Sequence, residues 1–154
     1  MTVDQNFLAR LSHPAHRRLY EHWCRRTPPG RLPGRQHLDF EDINDLRPWI
    51  GEVEVVRDQA RLFFRHRRAG KKLTAKTRRD PSGHWFEETY EGHELTEARL
   101  AHVQIVATKR PELASFSQPI SPERDLQDDR LILPLATDGQ IVDALIYLSV
   151  FLPD

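Results

Sequence analysis

Arg130-Leu131-Ile132-Leu133-Pro134-Leu135-Ala136-Thr137, then Asp138-Gly139, then Gln140-Ile141-Val142-Asp143-Ala144-Leu145-Ile146-Tyr147-Leu148 reads as two apolar runs around a turn. Asp-Gly in that position is a strong hairpin signal, because a type I′ turn needs φ > 0 at both central residues. Pairing Thr137 with Gln140 sets Leu135 opposite Val142, Leu133 opposite Ala144 and Leu131 opposite Ile146. That face is apolar throughout and is the expected core. The other face carries Ala136, Pro134, Ile132 and Arg130 against Ile141, Asp143, Leu145 and Tyr147, and is half polar. A helix or a second copy of the chain is expected to cover it. The same register puts Pro134 at a non-bonded site opposite Asp143, on a strand flanked on both sides, with its missing N–H turned away from the partner.

Outward from the hairpin, 154 residues support one domain with a sizeable core, and 30% charged residues suit a soluble protein. No apolar run approaches the roughly 18 to 20 residues of a membrane helix. Residues 1–11 lack a basic start and an apolar stretch and are expected to be a tail, with residues 12–154 as the domain and a cytoplasmic location. The single cysteine, Cys24, excludes an internal disulfide and a cysteine-based zinc cluster. The charges are segregated: ten Lys or Arg and one acid from Arg57 to Arg79, then six acids and no Lys or Arg from Asp80 to Glu97. Mutual neutralisation of the two segments is the simpler expectation, and an anion-binding face the other.

Ser12-His13-Pro14 predicts a helix start with Ser12 as N-cap, and Leu19, Tyr20, Trp23 and Cys24 form one stripe along that helix. Thr27-Pro28-Pro29-Gly30 ends it. Asp39 can cap a short helix bearing Phe40, Ile43 and Leu46, which Pro48 stops. Strands are predicted over 52–56 and 60–69, then short helices and turns. A longer helix capped by Thr96 follows, with Leu100, Val103 and Ala107 as its buried stripe. Residues 113–120 predict a third strand, and 121–124 a loop leading to the hairpin. The order is distinctive for an α+β domain: five antiparallel strands, with the helices other than the N-terminal ones between the second and third.

That order, with Tyr20-x-x-Trp23, Leu32-Pro33-x-Arg35-x-x-x-Asp39, Arg67-x-x-Gly70-x-x-Leu73, Asp80-x-x-Gly83-x-Trp85-Phe86, Lys109-Arg110-Pro111 and Leu131-Ile132-Leu133-Pro134-Leu135-x-x-Asp138-Gly139, resembles the PAS fold over roughly residues 12–152. It looks like the short stand-alone PAS-like proteins of bacteria. The resemblance implies a five-stranded antiparallel sheet curled around a small pocket, with short helices between strands 2 and 3 and an amphipathic N-terminal helix. It implies a sensory or regulatory signalling module that binds a small molecule, a protein partner or both. The family pattern puts Phe64, His66 and Arg68 on the pocket side. With Trp85 and Leu133 they are the candidate ligand-binding residues, and a guanidinium there calls for a small anionic ligand or an acidic side chain such as Asp80, Glu87 or Glu88. Leu19, Trp23, Ile132, Leu145 and Tyr147 are the candidate interface of a homodimer.

Cofactor and catalytic signals are weak. His13, His16 and His22 lack a carboxylate or cysteine at ligand spacing and read as surface residues, so no metal is expected. Haem-binding PAS domains use a histidine on or near the long helix, but helix geometry places His102 opposite Leu100, pointing away from the core. A photoactive flavin domain needs a cysteine in the helical middle segment, and Cys24 is on another element. No cofactor is expected. There is no G-x-S-x-G, P-loop or G-x-G-x-x-G, and Glu87-Glu88 and Asp128-Asp129 are neighbours that do not converge on one substrate, so no enzyme is expected. Binding of nucleic acid by residues 57–79 is the alternative. The segment lacks aromatic interleaving beyond Phe63 and Phe64, and any recognised motif.

Overall fold

The computed structural model describes residues 2–153. Its frame is a five-stranded sheet of β1 (Ile50–Asp58), β2 (Arg61–Ala69), β3 (Glu112–Ser121), β4 (Arg124–Leu135) and β5 (Ala144–Phe151). The strands run in the order β2-β1-β5-β4-β3 with every neighbouring pair antiparallel. Two helices precede the sheet, α1 (Gln5–Arg10) and α2 (Pro14–Arg26). Three more, α3 (Lys71–Thr77), α4 (Phe86–Thr89) and α5 (Gly92–Thr108), lie between β2 and β3. The α+β layout expected from the sequence is therefore the one observed.

The hairpin register differs from the expected one. Leu135 pairs with Ala144, Leu133 with Ile146 and Leu131 with Leu148, so residues 136–143 are a connecting loop and Thr137 does not pair with Gln140. The reason lies in the loop's own hydrogen bonds. The Asp138 carboxylate accepts the N–H groups of Gln140 and Ile141, both at 2.8 Å, which holds an Asx turn around Gly139 at φ 83°. The loop also bonds to the distant Leu32–Pro33 segment: Leu32 N–H donates to Gly139 at 2.9 Å, and Ala136 N–H to Pro33 at 2.9 Å. Because the shift is two residues, every side chain keeps its expected side of the sheet.

Both sides are covered. Helix α2 packs on β4 and β5 over the face bearing Leu131, Leu133, Leu135, Ile146 and Leu148 (the outer face). Helices α4 and α5 pack on β2, β3 and β4 over the face bearing Arg130, Ile132, Leu145 and Tyr147 (the inner face). The face expected to need a lid thus lines the interior, and the uniformly apolar face is the one the N-terminal helix covers. His13, rather than Ser12, caps α2 through its ring nitrogen, which accepts Ala15 N–H at 3.1 Å. Residues expected to be a tail fold as α1: Phe7 packs on Tyr20 with ring centroids 5.0 Å apart, and Leu11 is fully buried.

Pro134 lies in the sheet opposite Leu145. Asp143 N–H donates to Leu135 O, so alternation turns the polar groups of Pro134 away from β5, as expected. No strand flanks that side, however, because β3 begins opposite Ile132. The Trp23 indole takes its place, donating to Pro134 O at 2.9 Å. Helix α5 departs more sharply from expectation. It starts at Gly92, four residues before Thr96, and buries Ala98, His102 and Ile105, leaving Leu100 66% exposed. Apolar residues occur all round this helix, so its pattern alone does not select the buried stripe.

Two substitutions test this packing. A Cβ on Gly51 would sit 2.1 Å from Cζ of the buried Tyr147 ring, so Gly51→Ala should cost about 1–3 kcal/mol in urea unfolding. Trp23→Phe should cost about 1–2 kcal/mol, because it leaves the buried Pro134 carbonyl unpaired while retaining most of the ring.

Candidate functional site

The inner face holds Phe64 and His66 of β2, both buried, as expected. They belong to a cluster of rings. His66 lies 4.8 Å from Phe86 and 5.4 Å from Tyr90, while His102 lies 4.9 Å from Phe86 and 5.4 Å from Phe64. Helix α4 supplies Phe86 and α5 supplies His102, so the ring cluster fastens both helices to β2. Of the four ring nitrogens, only Nδ1 of His102 has a partner, the carbonyl of Ala98 at 2.7 Å. His102 therefore faces the core, the reverse of its expected direction.

Arg68 is not in this cluster. Glu52 pairs with Arg68 while the next residue, Val53, pairs with His66, so β2 bulges at Arg67. One extra residue inverts the alternation, and Arg68 emerges on the outer face near Glu52, with Nη1 to Oε2 at 3.7 Å. None of the acids expected for it, Asp80, Glu87 or Glu88, is its partner. Leu133 is buried on the outer face, opposite Ile146. Trp85 is half-buried and pairs with Arg65 at the free edge of β2, its ring 6.3 Å from Phe63. Of the five proposed pocket residues, the structure brings together Phe64 and His66 alone.

The interior does contain a guanidinium, from Arg130. Its Nε and Nη2 donate to the two carboxylate oxygens of Asp128 at 3.0 and 3.2 Å, and its Cζ lies 4.2 Å from the Phe116 ring centroid and 5.1 Å from that of Tyr147. Burial opposes the charge on Arg130, but Asp128 together with Tyr90 and Tyr147 outweighs it and raises its pKa. Beside it, Arg79 donates to Thr89 O at 2.8 Å, Gln118 Oε1 at 2.8 Å and Glu94 at 3.2 Å. Burial raises the carboxyl pKa of Glu94, against the pull of Arg79. A cavity of about 20 Å³, lined by Arg79, Tyr90, Gln118, Arg130 and Tyr147 among others, remains between these groups. That is room for about one water molecule. The sequence signal for this network was the pair Asp128 and Arg130, two apart on one side of an otherwise apolar strand.

The candidate dimer residues Leu19, Trp23, Ile132, Leu145 and Tyr147 are all buried within one chain, so any self-association has to use others. His16 and His22 are buried rather than on the surface. His16 bonds to Leu148 O at 3.0 Å, and the His22 ring lies between Asp39 N–H and the Asp42 carboxylate, both at 3.1 Å. Among the described residues no three His, Cys, Asp or Glu side chains are placed to hold a metal ion. Cys24 is buried on α2, where desolvation pushes its thiol pKa up. The basic and acidic segments meet through Arg79 and Glu94, whereas Arg65 and Arg68 turn instead to Glu54 and Glu52 of β1.

The buried rings give a pH dependence of defined sign. Burial pushes His66 down to about 3, helped by the charges of His102, Arg130, Arg79 and His84. It pushes His102 down to about 4, with Arg130 assisting and the bond to Ala98 opposing. Above the ordinary histidine pKa neither the folded nor the unfolded state is protonated. Below about 6.5 the unfolded chain takes up protons that the native one refuses, so stability falls by up to about 1.4 kcal/mol per pH unit for each ring. Urea unfolding at about pH 7.5 and about pH 5 should show this loss, and His66→Phe should reduce the slope by about one proton. An unchanged slope in His66→Phe would contradict the assignment.

The PAS domain family matches residues 11–148. No curated protein matches the chain. Among solved structures, the LOV protein of Rhodobacter sphaeroides superimposes with a TM-score of 0.52 at 13% identity, covering 74% of this chain and 67% of that one. A single-substitution variant of RsLOV gives 0.52 at 12% identity, covering 76% and 71%. At such identities the likeness is one of fold. The family match spans most of the chain, and this protein belongs to the PAS domain family.

Proposed function

We propose that the protein is a sensory or regulatory PAS module that works through contacts with a partner protein at its surface, and that it catalyses no reaction. One observation carries this reading: around Arg130 the inner face is filled by the domain's own side chains, and the larger hollow of about 510 Å³ beside it, between α5 and β3–β4, is lined by exposed polar residues such as Glu91, His93, Ser115 and Asp125. A typical small-molecule site occupies about 300–1,000 Å³, and the space among Arg79, Tyr90, Arg130 and Tyr147 is about 20 Å³. Arg130, the group most suited to an anion, already donates to Asp128 from Nε and Nη2. Admitting an anionic ligand would mean separating that buried pair, and an unpaired buried charge is costly.

The test is direct. Purified protein should carry no stoichiometric small molecule in native mass spectrometry. Flavins, haem and a panel of organic acids should each shift its Tm by less than about 1 °C, since a ligand that binds the native state stabilises it by mass action. Density or mass for a molecule held against His66, Tyr90 and Arg130 would overturn the proposal and restore an interior ligand site.

A further inference from the structure

Helix α5 turns outward the stripe that its sequence offers to a core. At about 100° per residue, Thr96, Leu100, Val103 and Ala107 fall within about 60° of arc, and the buried Ala98, His102 and Ile105 lie on the opposite side. Leu100 is 66% exposed and Val103 36%, and Ala107 is exposed beside them. Among the described residues nothing covers this stripe. The two ends of the helix carry opposite charge. At its start is the hollow of about 510 Å³, which Glu91, Glu94, Glu97 and Asp125 line with no Lys or Arg in its walls. Arg79 takes up Glu94, but Glu91 and Asp125 are in no ion pair among the described residues, and Glu97 has only its neighbour His93, at 3.0 Å. At its end Lys109 and Arg110 are exposed, and neither is in an ion pair among the described residues. The helix dipole favours acids first and bases last, but it accounts for neither the apolar stripe between them nor Asp125, which comes from β4.

We propose that α5 is a self-association surface, packing antiparallel against α5 of a second copy across a two-fold axis that passes between Val103 and Gln104. A two-fold interface sets a patch against itself, so the patch has to be self-complementary. Residues equally spaced about that point face each other: Leu100 meets Ala107 of the second copy, Val103 meets Gln104, and Glu97 meets Arg110. The acidic hollow receives the Lys109–Arg110 end of the other helix, and the axis repeats the contact, so one arrangement answers both ends. A parallel pairing would set acid against acid and base against base. An apolar stripe alone would admit any amphipathic helix, whereas the order acid, apolar, base selects its own reverse, which a second α5 supplies. With three apolar residues per copy the contact is at the small end of protein interfaces, so the dimer is weak, with a Kd on the order of tens of micromolar. The pairing leaves Arg130 and the ring cluster in place, so it stands whether the domain signals through a partner or through an interior ligand.

Sedimentation equilibrium of the full chain between about 5 and about 500 µM tests the surface. A monomer–dimer equilibrium should appear in that range, several-fold weaker at about 500 mM salt than at about 50 mM. Leu100→Glu should weaken association about tenfold or more and leave the Tm of the monomer unchanged, since the side chain it replaces is at the surface. Glu97→Arg and Arg110→Glu should each weaken it several-fold, and the two in one chain should restore it, because the double swap exchanges the signs across the axis. That rescue keeps the test independent of any folding defect in Leu100→Glu. A chain that stays monomeric at the top of the range overturns the proposal and leaves the stripe to a helix of another protein. A dimer indifferent to Leu100→Glu overturns it as well, and so does a double swap that associates no better than either single variant.

Discussion

A guanidinium buried on the inner face of a sheet has to meet a carboxylate, and the meeting of Arg130 with Asp128 governs what the rest of this interior can do. Both residues are almost fully buried. Taking either charge out of water alone costs several kcal/mol, so the two are retained together or not at all. Once they are paired, the neighbouring side chains are constrained. Phe116 and Tyr147 lie over the guanidinium, Gly51 leaves room for the Tyr147 ring, and Arg79 brings Glu94 and Gln118 to the same region. The volume that a curled sheet of this kind can offer to a ligand is taken up by the domain's own polar side chains.

The two faces of the sheet solve different problems. The outer face is apolar, and α2 covers it with Leu19 and Trp23, using the indole N–H to satisfy the Pro134 carbonyl that no strand reaches. Such a face stabilises by area, at roughly 25 cal/mol per Å² buried. The inner face mixes rings with paired charges, and its energy depends on geometry: each donor requires its own acceptor, and a ring nitrogen left without one, as in His66, is a standing cost. That contrast explains why acid acts on the inner face, where neutral imidazoles are packed among Phe64, Phe86 and Tyr90.

One residue of bulge separates two candidate chemistries. Without it Arg68 would share a face with His66 and add a second guanidinium beside Arg130. With it, Arg68 joins Arg35 around Glu52, on the side of the sheet that carries the N-terminal segments. The interior thus keeps its charge balance, and Arg68 meets a carboxylate on the other side of the sheet.

Composition and period determined much of this protein. The helix stop at Thr27-Pro28-Pro29-Gly30, the positions of the first three strands, the placement of the intervening helices between β2 and β3, and the two sides of the last two strands all follow from local chemistry that the folded chain does not override. Phe64 and His66 were legible as interior residues through the family resemblance, with strand alternation, a local rule, setting them on one side together. What only the tertiary structure decided depends on contacts distant in sequence. The loop over residues 136–143 bonds to Leu32 and Pro33, and this set a register that the Asp-Gly turn alone would have placed two residues away. The side of α5 facing inward was chosen by fit against Phe64 and Phe86, since apolar residues on every side of that helix offered no preference. The bulge at Arg67 arises where β1 and β2 pair, and no property of Arg65-His66-Arg67-Arg68 by itself announces it. An alternating pattern specifies sides only while the pairing stays in step, and where it slips by one residue the partner strand assigns the face.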